Sequence, residues 1–251
     1  MGEPTTYELE GGVATITLRR PEERNALSAE LVDSLAGHLD RAADDEGCRV
    51  VVLTNEGTTF SAGADLKGGG IGRVGLAGLL RAILDHDKPV VGRIAGHCMG
   101  GGVGLAAACD LSVAAADARF GFTEVRVGVA PAIISVVCLA KMRRGDALEL
   151  FLSGERVSAA RACEVGLVTT TVDRDGLDEA VGRVVGQLLR GAPGALAAAK
   201  GLVGTVPALG RDEAFEWTSR LSAELFSSEE AREGMAAFRE KRPPAWSPEE
   251  R

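Results

Sequence analysis

The chain has 251 residues, of which 45% are hydrophobic and 25% charged, enough apolar content for a packed core and too much for a disordered chain. A formal net charge of -8 argues against a nucleic-acid surface as the main partner, while an anionic small molecule needs only a local basic site. No apolar run is long enough to span a membrane, the five cysteines are scattered without CxxC spacing, and the three histidines form no ligand pattern; no membrane partner and no metal site are expected, and the expected setting is reducing and cytoplasmic.

In chain order, residues 6–9 and 13–18 read as two strands joined at Gly11-Gly12, a hairpin signal. A polar loop with Arg19, Arg20 and Arg24 follows. Ser28 reads as the N-cap of a helix with Leu31, Leu35 and Leu39 on one face. Residues 49–54 form an apolar strand that runs into the small-residue turn Ala62-Gly63-Ala64-Asp65. The glycine run 68–72 lacks local restraint and reads as mobile. Residues 74–86 read as an amphipathic helix and 89–94 as a strand. Short strands are expected at 111–114 and 119–122, helices at 132–141, 145–152 and 158–164, and a strand at 167–172. From Leu177 onward the pattern is helical: 177–190, 195–206, 211–226 and 229–239. A soft boundary falls near Gly191-Ala192-Pro193-Gly194, giving a core over 1–193 and a helical region over 194–251. No GxGxxG follows the first strand, so the order is not a Rossmann order.

The stretch around which the chain is organised is Gly96-His97-Cys98-Met99-Gly100-Gly101-Gly102-Val103-Gly104, which reads as strand, glycine turn, buried helix start. Three glycines remove every Cβ, so another group can approach the backbone closely. The free N–H groups at the helix start favour a developing negative charge. The alternative is a turn needed only for tight helix–strand packing. The Ala62-to-Asp65 turn after the earlier strand is a second place able to offer an N–H. Downstream, Glu124 sits among apolar residues, where a carboxylate is costly without a role or partner.

Three motifs, Phe60-Ser61-Ala62-Gly63-Ala64-Asp65-Leu66, Gly100-Gly101-Gly102 through Cys109-Asp110, and Phe120-Gly121-Phe122-Thr123-Glu124, together resemble the crotonase, or enoyl-CoA hydratase/isomerase, superfamily in order and separation. The resemblance extends to the closing Phe238-Arg239-Glu240-Lys241-Arg242-Pro243. It implies an α/β fold, a crotonase-like spiral of ββα units with a C-terminal helical region. It assigns an oxyanion hole to the N–H groups of Ala64 and Gly101, and the acid–base role to Glu124. Coenzyme A, as part of an acyl-CoA thioester substrate and not as a separate cofactor, is implied to lie across Asn25, Ala26 and Leu27, across Ala62, Ala64, Asp65, Leu66 and Lys67, and close to Gly101. Lys67 or Arg24 can meet a phosphate or stand as a solvated cation. The resemblance also implies a homotrimer or a dimer of trimers.

One position departs from the pattern. Hydratases of this superfamily use two carboxylates, and the earlier one falls on Gly104. Asp110, Asp117 and Glu155 read as structural or solvated acids, and His97 as a polar filler. Three readings stay open: an enoyl-CoA hydratase working with one glutamate on a branched substrate such as methylglutaconyl-CoA; a double-bond isomerase, for which one base suffices; and a catalytically silent CoA-binding member. The hydratase is favoured because residues 122–132 look like a subset of hydratases that carries the same glycine. In the tail, Phe215, Trp217 and Phe226 read as helix packing.

Overall fold

The computed structural model describes residues 2–65 and 72–247. Residues 68–71 of the expected mobile run 68–72 therefore lie outside the described residues, as do Leu66 and Lys67. β1 (Thr5–Glu10) and β2 (Val13–Leu18) pair antiparallel, with Tyr7 opposite Ile16. Gly11 and Gly12, at φ 56 and 83, make the two-residue turn whose twist matches the strands. Ser28 caps α1 (Ala29–Asp44), its hydroxyl accepting from Leu31 N–H at 3.3 Å, and Leu31, Leu35 and Leu39 are buried as the periodicity predicts.

After α1 the chain repeats a strand, strand, helix unit. β3 (Val50–Asn55) and β4 (Thr59–Ser61) precede α2 (Gly75–Leu84). β5 (Val90–Ile94) and β6 (His97–Met99) precede α3 (Gly101–Ala108), and β7 (Leu111–Ala115) and β8 (Arg119–Gly121) precede α4 (Ala132–Cys138). The first strand of each pair enters a six-stranded sheet in the order β1-β2-β3-β5-β7-β10, where β10 is Thr170–Val172; the second enters a four-stranded sheet, β4-β6-β8-β9, where β9 is Arg156–Ser158. This is the spiral of ββα turns in an α/β fold. β3 is buried on both faces, as a central parallel strand must be, and its residues 50–53 accordingly read as an apolar run.

α3 is buried at all eight positions and forms the axis of the core. An apolar surface on every side leaves a helix nowhere to go but the interior. α7 (Leu177–Leu189) covers the other face of the six-stranded sheet through Leu177, Val181, Val185 and Leu189. Beyond it come α8 (Pro193–Thr205), α9 (Arg211–Ser227) and α10 (Glu229–Glu240), where Ala237 alone is buried among the described residues. The end of the chain returns to the core: Arg49 donates to the carbonyls of Trp246, Leu189 and Gly191 at 2.7–3.0 Å, and Trp246 Nε1 donates to Arg190 O at 3.0 Å.

Several expectations are corrected. β4 and β6 replace what read as turns, and β9 takes up residues 156–157, for which no element was expected, with Ser158 from the start of the expected helix 158–164, because three-residue strands carry no periodicity and form only where a neighbouring strand offers partners. The expected helix 132–141 stops at Cys138, the next, α5, runs Arg144–Ser153, and the last residues of the expected strand 167–172 alone pair with β7. Phe215 and Phe226 project outward at 67% and 69% exposure, while Trp217, Leu221 and Leu225 on the opposite side of α9 are half-buried.

Candidate active site

The site is built where β4 and β6 hand over to the turns that follow them. A Cβ placed on Gly63 (φ 87) would lie 2.7 Å from Met99 O and 3.0 Å from Gly101 N, so the two turns lie directly against each other. Only glycine fits that contact.

The hydrogen bonds around these turns fix the direction of two N–H groups. Leu27 N–H donates to Gly63 O at 2.8 Å. In a trans peptide the C=O and the next N–H point opposite ways, so the Ala64 N–H faces away from Leu27. Gly100 O accepts from Val103 N–H at 2.9 Å and from Gly104 N–H at 3.4 Å, turning it into α3. The Gly101 N–H therefore points out of the helix N-terminus. None of the described hydrogen bonds starts from either N–H. Ala64 is exposed and Gly101 is buried beneath Leu27 and Leu76, whose methyl carbons would lie 2.9 and 3.3 Å from a Cβ there.

Glu124 stands beside this pair. It occupies a 3-10 turn, Thr123–Val127, closed by Gly128 at φ 83. Val125 and Val127 turn outward, and the carboxylate turns in. A Cβ on Gly100 would lie 3.2 Å from Glu124 Oε1. Oε2 is buried and has no hydrogen-bond partner among the described residues. Burial pushes the carboxyl above its ordinary value, offset in part by its own main-chain N–H. A half-buried carboxylate that keeps an unused oxygen next to a helix N-terminus is poised to take a proton.

The position of the second carboxylate is filled. A Cβ on Gly104 would lie 2.3 Å from Ile134 Cγ2 and 2.7 Å from Ile134 Cβ, and Ile134 is 2% exposed. α3 and α4 thus pack through this pair, leaving no room for an acid. Nothing in the sequence pattern signals that contact. Cys138, one turn beyond Ile134, is pushed up to about 12, first by burial, and offers no thiolate.

The remaining candidate residues have other partners. Asp110 accepts from Val90 N–H at 2.7 Å and pairs with Lys200 at 2.9 Å; Asp117 pairs with Arg174, and Glu155 with Arg126. His97 Nδ1 accepts from Arg119 N–H at 3.1 Å, tying β6 to β8. Asn25 is wholly buried: Oδ1 accepts from Arg20 N–H at 2.8 Å, and Nδ2 donates to Glu56 O and Thr59 O at 3.1 and 2.8 Å. Its side chain is spent on the protein's own backbone, while Arg24, Ala26, Ala62, Ala64 and Asp65 are accessible in that loop and turn. Arg24 and Asn25 both hold positive φ, 54 and 48. No group of acids, histidines and cysteines able to hold a metal ion occurs among the described residues.

A sequence model of the family described as Enoyl-CoA hydratase/isomerase matches residues 8–249. The carnitinyl-CoA dehydratase of Salmonella typhi is 33% identical over 98% of this chain and 99% of its own length. The (E)-benzylidenesuccinyl-CoA hydratase of Thauera aromatica is 32% identical over 97% and 98%. Among solved structures, an enoyl-CoA hydratase of Mycobacterium smegmatis superposes with a TM-score of 0.91 at 32% identity, covering 97% of this chain and 98% of that one.

Proposed function

The chain belongs to the enoyl-CoA hydratase/isomerase family, and from that premise we propose that it adds water across the double bond of an enoyl-CoA thioester. The observation that supports this best is Glu124: a half-buried carboxylate with an unused oxygen, set against the turn that frees the Gly101 N–H. The thioester oxygen accepts from Ala64 N–H and Gly101 N–H. Glu124 takes a proton from water as the oxygen adds to the β-carbon. The electron pair of the double bond moves onto the thioester as an enolate, which the two donors stabilise. Glu124 then returns the proton to the α-carbon, so one carboxylate completes the cycle. Coenzyme A, carried by the substrate, crosses Ala26, Leu27 and the Ala62–Asp65 turn, and no separate cofactor is needed.

The acyl group is proposed to be branched, as in methylglutaconyl-CoA. The dehydratase and hydratase named above carry substituted acyl groups in their own names, which fits a family that varies this part of the substrate. We further propose a homotrimer or dimer of trimers acting in the cytoplasm. Among the described residues, no helix is long and apolar enough to cross a membrane.

A second reading has its own observation. With Ile134 in the place of the second acid, Glu124 alone can move a proton from one carbon to another, which is double-bond isomerisation. The deciding experiment is a panel of straight and branched enoyl-CoA thioesters followed separately for hydration and for double-bond migration. Hydration of at least one branched thioester is expected. Fast migration with no hydration of any member would establish the isomerase instead.

A further inference from the structure

We propose that Asn25 is a positioning residue for the Ala64 N–H: it holds the 24–27 segment against β4 so that Leu27 N–H captures the Gly63 carbonyl and the Ala64 N–H is left facing the thioester. This rests on the oxyanion-hole reading above and adds to it a residue that touches no substrate.

The Asn25 amide is at 0% exposure and uses both hydrogens and its oxygen on backbone groups. A buried amide so fully satisfied has nothing left to offer a ligand. Its partners lie on two separate stretches of chain, Arg20 at the start of its own loop and Glu56 and Thr59 on the way into β4. The loop it closes is not a relaxed one. Two successive residues other than glycine hold left-handed φ, a conformation that L side chains keep only when their surroundings enforce it. Asn25 N–H also donates to Arg20 O at 2.8 Å, completing the ring.

What the loop does next is specific. Arg24 O accepts from Ala62 N–H at 2.9 Å, and Leu27 N–H donates to Gly63 O at 2.8 Å. Leu27 and Ala64 form a parallel bridge. The peptide plane carrying the Ala64 N–H is thus gripped from the 24–27 segment, and the strand leading into it is gripped at Thr59 O. Asn25 is bonded to the second grip and covalently next to the first. Asn55 also donates to Thr59 O, at 3.3 Å, but its other described bonds go to Glu56 O, Gly57 O and Ala95 N–H, none of them in the 24–27 segment. Asn25 is therefore the side chain that couples loop to strand across the donor.

The experiment compares the wild type with Asn25→Gly, which tolerates positive φ and removes the latch, and with Asn25→Asp, which keeps the size and loses both donors. The probes are acetoacetyl-CoA, whose enolate is read by its near-ultraviolet band, and free CoA, read by calorimetry. Expected are folded variants by circular dichroism, CoA binding within about twofold of wild type, and enolate formation weakened by about 10²-fold, the scale for a donor displaced by an ångström. An enolate band of wild-type strength in both variants overturns the inference while leaving the hole in place. Absence of the band in the wild type overturns the hole itself. Loss of CoA binding in parallel with the enolate, or failure of both variants to fold, also overturns it, because Asn25 would then support the whole loop or the whole fold and not one donor.

Discussion

Glu124, the proposed base, also carries a cost. Its folded-state pKa lies above the ordinary value of 4.5, with burial as the cause. Ionisation therefore disfavours the folded state: the penalty is absent below the unfolded-state pKa, grows as pH rises between the two values, and is complete above the folded one. Glu124→Gln keeps the size and removes both charge and base. Its melting temperature should exceed that of the wild type at pH 7, and the gain should vanish at about pH 4. Turnover should fall by about 10²–10⁴. In the wild type, kcat/KM should rise with pH through an ionisation above the usual carboxylate range, and thermal melts and rates across pH 4–8 read both signs. A variant equally stable and equally active at neutral pH would remove Glu124 from the mechanism. Legibility at this scale is uneven. Glu124 stands out in the sequence as a charge among apolar residues, and the two N–H donors sit in recognisable glycine turns. Ile134 and Asn25 carry no signal, because what they do depends on a tertiary approach: a methyl carbon against Gly104, and an amide facing two carbonyls some thirty residues away.

At the scale of elements, α3 is the piece that everything else serves. Gly100, just before it, leaves room for Glu124, its start leaves the Gly101 N–H pointing outward, and Gly104 within it meets α4 at Ile134. Gly101→Val should press on Leu27 and Leu76 and swing the turn away, with a loss of turnover of about 10²-fold or more, the scale for one lost oxyanion donor. An undiminished rate in a folded variant would refute the role. Restoring the second acid is harder than the sequence suggests. Gly104→Glu alone drives its side chain into Ile134 and should destabilise the α3–α4 contact. Combined with Ile134→Gly, which removes both the Cγ2 and the Cβ that a side chain at 104 would meet, the acid has space. The double variant should then hydrate a short straight-chain enoyl-CoA faster than Ile134→Gly alone, and no difference between those two would mean that a second carboxylate at this position does not assist. The long helices and the central strands were legible because their periods of 3.6 and their unbroken apolar runs survive in sequence. The 3-10 turn under Glu124 and the three-residue strands were not, since neither is long enough to leave a period.

At the scale of the molecule, the unresolved balance is between buried and exposed apolar surface. Val127, Val129, Val136, Leu139 and Leu152 are exposed in and beside the 3-10 turn, α4 and α5, and Leu139 and Leu152 also line a cleft of about 480 Å³ with Met142, Leu148 and Phe151. Val136 and Leu152 are each 73% exposed. A second set, Val203, Phe215, Phe226 and Phe238, lies on the C-terminal helices. Single exposed apolar residues need no explanation, but two groups of this size on one chain are characteristic of surfaces that other copies cover. The first group directly follows the residue proposed as the base, so association would also brace the turn that holds Glu124. The expected state in solution is a trimer or a dimer of trimers at micromolar concentration. A charge placed at Val136 or Leu152, as in Val136→Glu or Leu152→Arg, should dissociate it, because a closed assembly repeats the buried charge at every interface. Light scattering reads the mass of the wild type and of each variant. A stable wild-type monomer would refute the assembly. A trimer unchanged by both substitutions would move its interface to the C-terminal helices, where Phe238→Ser would be the next variant to weigh.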